Sequence, residues 1–396
     1  TVRGARAMTD AALAWLGQLG RQPAGKPVFV WVHYYDPHDP YSPPGMDPKA
    51  TLAARYAGEV AHMDAEIGRL LAALPGGAER WLIAAVGDHG ESLGEHEEPN
   101  HGIFLYHTTL RVPLLLAGPG VPRGKVVAAA VSTSRLASTL LRLTGSGKAA
   151  LPFGRPLPGL PGTSGIGAGA ARPVYAETRY PLVAYGWSPL EAMFDGRFKL
   201  IVAPRPELYD LVADPGETRN LLERQERRDE ARRLKAALRE AQRSFLARPA
   251  PPAHSAKTAD PELARSLESL GYLSGSETSG KGTLDPKDGP ALLADFAAAG
   301  ALIQGDRPQA VAKLKDLVRR SPGSVRFLTA LAQVQLDNGE GEAAIATFRQ
   351  AVRENPKRVE THRLLAAAYR RLGRQEEARL EDEIILKLLP PAAAAE

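Results

Sequence analysis

The densest group of residues that could perform acid–base or metal chemistry lies between positions 88 and 102. It opens with Asp88-His89-Gly90-Glu91, continues through the acidic run 95–98 and ends at His101. A carboxylate beside an imidazole offers a hard oxygen donor and a borderline nitrogen donor, which together suit a divalent cation. An adjacent Asp and His in a loop also commonly form a hydrogen-bonded turn, and acidic runs are typical of exposed surface. The motif alone therefore leaves both a metal site and a structural turn open.

A second polar loop raises the chance of a shared site. It follows the apolar segment 27–33 and carries His33, Asp36 and His38, whereas the Asp88 loop follows the apolar segment 81–86. Open α/β sheets assemble ligand sites from loops at the carboxyl ends of their strands. We therefore expect the two loops to meet at one rim of a sheet.

Strand-like and helix-like segments alternate around these loops, which predicts an α/β fold with a mostly parallel central sheet covered by helices. Shorter strand-like pieces and a long charged helix downstream predict a small α+β subdomain. The predicted strands are 27–33, 81–86, 111–117, 173–176 and 198–203, and the predicted helices are 52–74, 134–143 and 217–245.

The C-terminal part repeats itself every 34 residues. Three residue types share this period, namely Gly305, Gly339 and Gly373, then Ala310, Ala344 and Ala378, then Pro322, Pro356 and Pro390. A period of about 34 residues is that of the tetratricopeptide repeat, two antiparallel helices with small residues where they cross. The predicted organisation is an α/β domain at 1–247, a Pro-, Ser- and Gly-rich linker at 248–289 and an all-α repeat array at 290–390.

The composition limits the partners. The 50 basic and 45 acidic residues give a formal charge of +5 without a basic block, so no nucleic-acid partner is predicted. No apolar run reaches the roughly 18 residues that a bilayer-spanning helix needs. The chain has no cysteine, which excludes thiolate ligands and cysteine nucleophiles within these residues.

Several motifs, in this order, resemble those of bacterial sulfatase-like hydrolases of the alkaline phosphatase superfamily, some of which carry tetratricopeptide tails. The similarity covers about residues 7 to 225, and its motifs are Asp36-Pro-His-Asp-Pro-Tyr41, Asp88-His-Gly-Glu-Ser-Leu-Gly-Glu-His96, His101-Gly-Ile-Phe-Leu-Tyr106, Leu110-Arg-Val-Pro113, Glu207-Leu-Tyr-Asp-Leu211, Asp214-Pro-Gly-Glu217 and Asn220-Leu221.

The resemblance implies a role for four residues. Asp88 and His89 would be ligands of one divalent cation, with calcium favoured and magnesium, manganese or zinc as alternatives. His38 would contact the sulfuryl or phosphoryl oxygens, and His101 would donate to the substrate or its leaving oxygen. These roles agree with the need to stabilise a tetrahedral oxyanion and to protonate a leaving oxygen. No chemistry is expected from His107, His254 and His362.

The chain also departs from the family pattern. The relatives carry a nucleophile in a Cys- or Ser-x-Pro-x-Arg motif toward the N-terminus, and this sequence contains no such pentapeptide. They commonly show an Asp and a Pro in the stretch matching 131–141, where this chain has Arg135 and Ser138. We therefore expect the α/β domain to be incomplete at its N-terminus and these residues alone to be inactive.

Three functions stay open at this point. The first is hydrolysis of sulfate esters of a small molecule or glycan; the second is phosphodiester or phosphonate hydrolysis, or phosphoethanolamine transfer, on the same scaffold. The third is a non-catalytic platform whose repeats bind a protein or peptide. Because such relatives are often exported, the resemblance favours the periplasm or the cell surface.

Overall fold

The computed structural model describes residues 4–19, 27–146, 155–160, 173–246, 282 and 284–389. The chain divides into two compact units, one formed by residues 1–101 and 108–172 and the other by residues 102–107 and 173–396. Most of the predicted linker, together with His254 and Pro390, lies outside the described residues. No helix within the described ranges is both long and apolar enough to cross a bilayer.

The first part of the chain contains helices and a short strand pair. In chain order the elements are α1 (Ala5–Leu19), α2 (Leu52–Ala72), β1 (Ile83–Val86), α3 (His107–Leu110), β2 (Leu114–Ala117) and α4 (Leu136–Leu143). The long helix α2 begins after Thr51, whose hydroxyl accepts the Ala54 N–H at 3.2 Å as an N-cap. It packs against α1, and Arg69 of α2 donates to Asp10 of α1 at 2.8 Å.

The strand pairing differs from the prediction in its direction. β1 and β2 are antiparallel, with Val86 opposite Leu114. A parallel pair needs a long crossover, usually a helix of several turns, but the segment between these two strands contains only the four-residue α3 and one three-residue helical turn. Residues 27–33, predicted as a strand, do not form a strand of either described sheet.

The second unit contains a four-stranded antiparallel sheet in the order β3-β4-β5-β6. The strands are β3 (Val174–Thr178), β4 (Leu190–Phe194), β5 (Phe198–Val202) and β6 (Glu207–Asp210), and the short helix α5 (Tyr180–Tyr185) connects the first two. Helix α6 (Arg228–Leu246) covers the sheet by burying Leu234 and Leu238 against Met193, Leu200 and Leu208. This is the predicted small α+β subdomain.

Helix α6 begins later than the predicted 217–245. Asp214 accepts the N–H groups of Thr218 and Arg219 at 2.9 and 2.8 Å, and this turn places Glu217 in the left-handed region at φ 55°. Because residues 214–219 form this turn, the helix cannot begin at residue 217.

Six helices follow, as the 34-residue period predicts. They are α7 (Gly289–Leu302), α8 (Arg307–Arg320), α9 (Val325–Asp337), α10 (Gly341–Glu354), α11 (Val359–Arg371) and α12 (Gln375–Leu388). Successive helices pack as neighbours, and the periodic Ala310, Ala344 and Ala378 are all buried at the crossings. The described chain thus has the predicted class, an α/β region followed by an all-α repeat array.

Candidate functional site

Three of the predicted site residues lie together in the first unit. The rings of His89 and His101 are tilted by 30° with centroids 3.9 Å apart, and the ring of His38 meets that of His101 edge-on at 5.7 Å. His38 also stacks on Tyr35 at 4.3 Å. The loop after β1 and the loop at 36–42 therefore meet, but not at a shared sheet rim, because residues 27–33 form no strand of either described sheet.

The three imidazoles share one hydrogen-bonding pattern. The Nδ1 of His38 lies 2.7 Å from the Asp39 carbonyl oxygen, that of His89 lies 2.8 Å from the Gly90 carbonyl oxygen, and that of His101 lies 2.9 Å from a Glu91 carboxylate oxygen. Oxygens of this kind accept, so each Nδ1 carries the proton that it donates. In each ring Nε2 is left to face a ligand, and the neighbouring oxygen fixes the tautomer.

Asp88 and His89 present two donors of different chemistry close together. The His89 Nε2 lies 3.7 Å from Asp88 Oδ2, while Asp88 Oδ1 accepts the His89 N–H at 3.0 Å. Atoms at that separation can both reach one cation at about 2.0–2.4 Å. Within the part of the chain that the structure describes, no three His, Cys, Asp or Glu side chains are placed to hold one ion. The pair fits two positions of a ligand set but does not complete it.

Gly90 lies where the loop after β1 comes closest to the main chain of residues 108–109. A Cβ on Gly90 would lie 2.2 Å from the Thr108 carbonyl oxygen, and the Gly90 N–H donates to the Thr109 carbonyl at 2.7 Å. The φ of Gly90 is not positive. Only glycine allows the loop that carries His89 to approach residues 108–109 so closely.

Glu91 is a functional residue that the sequence reading does not single out. Its carboxylate is buried and bonds to His101. Burial lowers the pKa of His101, but the hydrogen bond and charge of Glu91, with the charges of Glu98 and Asp88, outweigh burial and raise that pKa overall. Burial and the Glu91 carboxylate likewise raise the pKa of Tyr41. The site therefore favours a protonated His101 beside a neutral Tyr41.

The loop carrying His38 is held by Glu59 of α2. The Glu59 carboxylate is buried and accepts the His38 N–H at 3.2 Å and the Ser42 N–H at 2.6 Å. The loop also packs closely on the helix, because a Cβ on Gly58 would lie 2.7 Å from Met46. A glutamate in an amphipathic helix usually faces solvent, so the sequence carries little signal of this contact.

Other candidate residues have structural contacts. His33 stacks on Trp31 at 6.3 Å. The acidic run, predicted as surface, contains the buried Glu98, and the neighbouring Ser92 hydroxyl donates to the Glu98 carbonyl at 2.8 Å. The Nδ1 of His107 lies 3.2 Å from Nζ of the buried Lys199.

Comparison with known proteins gives two family matches. Residues 5–146 match the family model described as Sulfatase, and residues 301–368 match a model of the tetratricopeptide repeat.

Among the proteins similar to this chain are two named sulfatases and one structure with a sulfated ligand. A sulfatase of Formosa agariphila is 36% identical over 96 residues, which are 23% of this chain and 18% of that protein. A choline-sulfatase of Rhizobium meliloti is 31% identical over 177 residues, which are 42% of this chain and 32% of that protein. The solved structure of BT4656 in complex with D-glucosamine-2-N,6-O-disulfate matches with a TM-score of 0.42 and 26% identity, covering 48% of this chain and 40% of that one.

The matched part of this chain thus spans a third or less of the length of these curated relatives. Residues 5–146 are therefore similar to part of the sulfatase family, and residues 301–368 are similar to tetratricopeptide repeats.

Proposed function

We propose that this chain carries part of the active site of a metal-dependent hydrolase of sulfate esters. The observation that carries the proposal is the cluster of His38, His89 and His101, in which each Nδ1 proton is held by an oxygen and each Nε2 is left for a ligand. Imidazoles oriented in this way can bind a cation through a neutral Nε2, as proposed for His89, or donate to oxygens of a tetrahedral ester from a protonated Nε2, as proposed for His38 and His101. The sulfatase names of the relatives support the ester class.

In this proposal His101 and His38 act on the substrate. Glu91 holds the His101 ring and stabilises its charged form, so His101 donates a hydrogen bond or a proton from Nε2 to the leaving oxygen. His38, oriented by the Asp39 carbonyl and packed on Tyr35, donates from Nε2 to an oxygen of the sulfuryl group when its ring is charged. Both residues bind the substrate as well as assist the reaction.

Asp88 and His89 would hold the divalent cation. A bound cation would offset the negative charge that develops on the sulfuryl oxygens. Calcium is the favoured cation, magnesium also suits oxygen donors, and the imidazole of His89 admits manganese or zinc. The remaining ligands and the nucleophile would come from outside the residues that the structure describes. We accordingly propose that these 396 residues need a segment with a Cys- or Ser-x-Pro-x-Arg motif for turnover.

Cation binding tests the metal part directly. Titration of the chain with calcium, followed by calorimetry, should give binding that weakens at least about tenfold in Asp88→Asn, since a charged ligand contributes about 1.4 kcal/mol or more. Asp64→Asn, an exposed carboxylate on α2, is the matched control and should bind normally. Equal affinity for calcium in both variants would remove Asp88 from the ligand set.

The substrate class is tested by a panel of an aryl sulfate, a phosphate monoester, a phosphodiester and a phosphonate, each with and without chelator. We expect sulfate release only where the nucleophile motif is supplied, and loss of at least about a hundredfold in His101→Gln as for other general acids. His62→Gln on α2 is the control. Clear turnover by these residues alone would overturn the proposal that they lack the nucleophile.

Two alternatives have specific outcomes in these experiments. A phosphodiester or phosphonate hydrolase, or a phosphoethanolamine transferase, would use the same histidines, and preference for a phosphorus substrate would identify it. A non-catalytic platform would leave the histidine cluster without a catalytic role. It predicts no turnover even when the motif is supplied, with a protein or peptide ligand at the repeats.

A further inference from the structure

Residues 180–188 of the α+β subdomain are embedded in the repeat array. Tyr185 stacks on Trp187 with centroids 4.4 Å apart and meets Phe327 of α9 at 5.6 Å. Trp187 is fully buried and donates from Nε1 to the Ser321 hydroxyl at 3.1 Å, and Ser321 lies at the end of α8. The repeats therefore bury an aromatic segment of their own chain.

Main-chain atoms of residues 180–188 also pack closely against the repeat array. A Cβ on Gly186, whose φ is 70°, would lie 2.6 Å from the Gly323 carbonyl oxygen. A Cβ on Gly289, the first residue of α7, would lie 2.3 Å from the Trp187 ring. The Ser188 N–H also donates to the Leu284 carbonyl at 2.9 Å. Glycines at both close approaches allow a contact that any larger residue would obstruct.

The same contact reaches the residue after His101. Arg326 of α9 donates from Nη1 to the Tyr180 hydroxyl at 3.1 Å. The Tyr180 ring packs on Gly102, where a Cβ would lie 3.3 Å from Cδ1, and the Thr178 hydroxyl donates to the Gly102 carbonyl at 2.5 Å. Gly102 has φ 100° and directly follows His101 in the chain.

We propose that the repeat array acts in cis, with residues 180–188 as the occupant of the face formed by the start of α7, the end of α8 and the start of α9. Through Arg326 and Tyr180 this docking holds Gly102 and so limits the positions open to His101. Tyr180 and Arg326 are positioning residues. The consequence for His101 rests on the proposed function, whereas the docking itself does not.

Hydrogen exchange, measured by mass spectrometry on the whole chain, tests whether Arg326 and Tyr180 restrain Gly102. This measurement needs no turnover. Arg326 also lies over the Tyr185 ring, 5.9 Å from its centroid. Arg326→Ala should therefore speed exchange in the segment 102–106 about tenfold, as expected for loss of a hydrogen bond and a cation–π contact. Arg326→Lys should restore part of the protection because it keeps the charge. Arg319→Ala, at an exposed arginine on α8 that pairs with Asp316 one turn away, is the control.

A glycine pair tests the docking on one helix. Gly289→Ala should release Trp187 and shift its fluorescence toward that of exposed indole, with about tenfold faster exchange in 180–188. Gly300→Ala lies on the same helix with nothing within 4 Å of its Cβ and should leave both signals unchanged.

The two proposals fail in distinguishable ways. Unchanged exchange at 102–106 in Arg326→Ala would overturn the restraint on Gly102. Unchanged Trp187 emission in Gly289→Ala would overturn the docking. Both outcomes are independent of what the chain hydrolyses. If both changes occur and no ester is hydrolysed even with the nucleophile motif supplied, the proposed function fails and the docking stands.

Discussion

Glu59 organises the His38 loop although it belongs to a helix. It accepts two main-chain N–H groups, from His38 and Ser42, and a carboxylate can do so because all its oxygen lone pairs are acceptors. Glu59→Gln would turn one acceptor into a donor facing an N–H. We expect a loss of about 1–3 kcal/mol in local stability and faster hydrogen exchange at 36–42. Asp64→Asn on the same helix should change neither quantity.

His362 gives the repeat array a dependence on pH. It is buried between α11 and α12, with Nδ1 2.5 Å from the Glu381 carboxylate and Nε2 2.9 Å from the Pro356 carbonyl oxygen. Two acceptors require both ring nitrogens to donate, which is the charged form. The hydrogen bond to Glu381 outweighs burial and raises the pKa of His362 above its ordinary value.

Because the pKa of His362 is raised in the folded chain, its charged form stabilises the repeat array more at low pH than at high pH. The stabilisation is fully present below the ordinary pKa of about 6.5 and is lost as the pH rises through the higher folded pKa. The urea midpoint of wild type should exceed that of His362→Gln by more at about pH 5.5 than at about pH 9. A difference between the two proteins that does not change with pH would contradict the assignment. Glu381→Gln should reduce the same dependence.

At the scale of elements, a buried ion pair joins β5 to the segment 102–107. Lys199 of β5 and Glu217 are both fully buried and in contact, and Lys199 donates to the Leu105 carbonyl at 2.8 Å. Glu217 accepts the His107 N–H at 2.6 Å. Burial lowers the pKa of Lys199, although the Glu217 carboxylate opposes this. The pair therefore stabilises the unit only while both partners are present.

Removing one partner should leave an uncompensated charge. Lys199→Met is expected to destabilise the second unit by about 3–5 kcal/mol, and Lys199→Met with Glu217→Gln should recover a large part of that loss. Urea unfolding followed by circular dichroism measures both. Lys235→Met, at an exposed position on α6, should have little effect. If the double variant were as unstable as the sum of the single ones, the ion pair would not be the cause.

The elements also show what the sequence can predict. The repeats were predictable because small residues recur at the helix crossings, where only they fit, so Ala310, Ala344 and Ala378 reveal the architecture directly. The antiparallel direction of β1 and β2 could not be predicted in this way. Apolar runs do not encode strand direction, which depends on the connecting segment. In the site, residue types identified the histidines, whereas Glu59 and Glu91 depend on folded contacts that no local pattern reveals.

At the scale of the whole molecule, an apolar surface of the first unit is open to solvent. Phe29 and Trp31 are 80% and 69% exposed. The two aromatic residues line a cleft of about 300 Å³ together with Met8 and Trp15 of α1. Contiguous exposed apolar area of this kind usually binds another surface, so it makes the protein prone to association.

Polar substitution on that surface should therefore cost little folding free energy in this chain. Phe29→Ser with Trp31→Ser is expected to change stability by less than about 0.5 kcal/mol, because these side chains already contact water. The same variant should bind less of a hydrophobic dye and associate less at high concentration. Leu16→Ser, at a buried position of α1, is the contrasting control and should cost about 2–5 kcal/mol. If the exposed pair proved as costly as Leu16, these aromatic residues would belong to the core of the first unit instead of to a surface awaiting a partner.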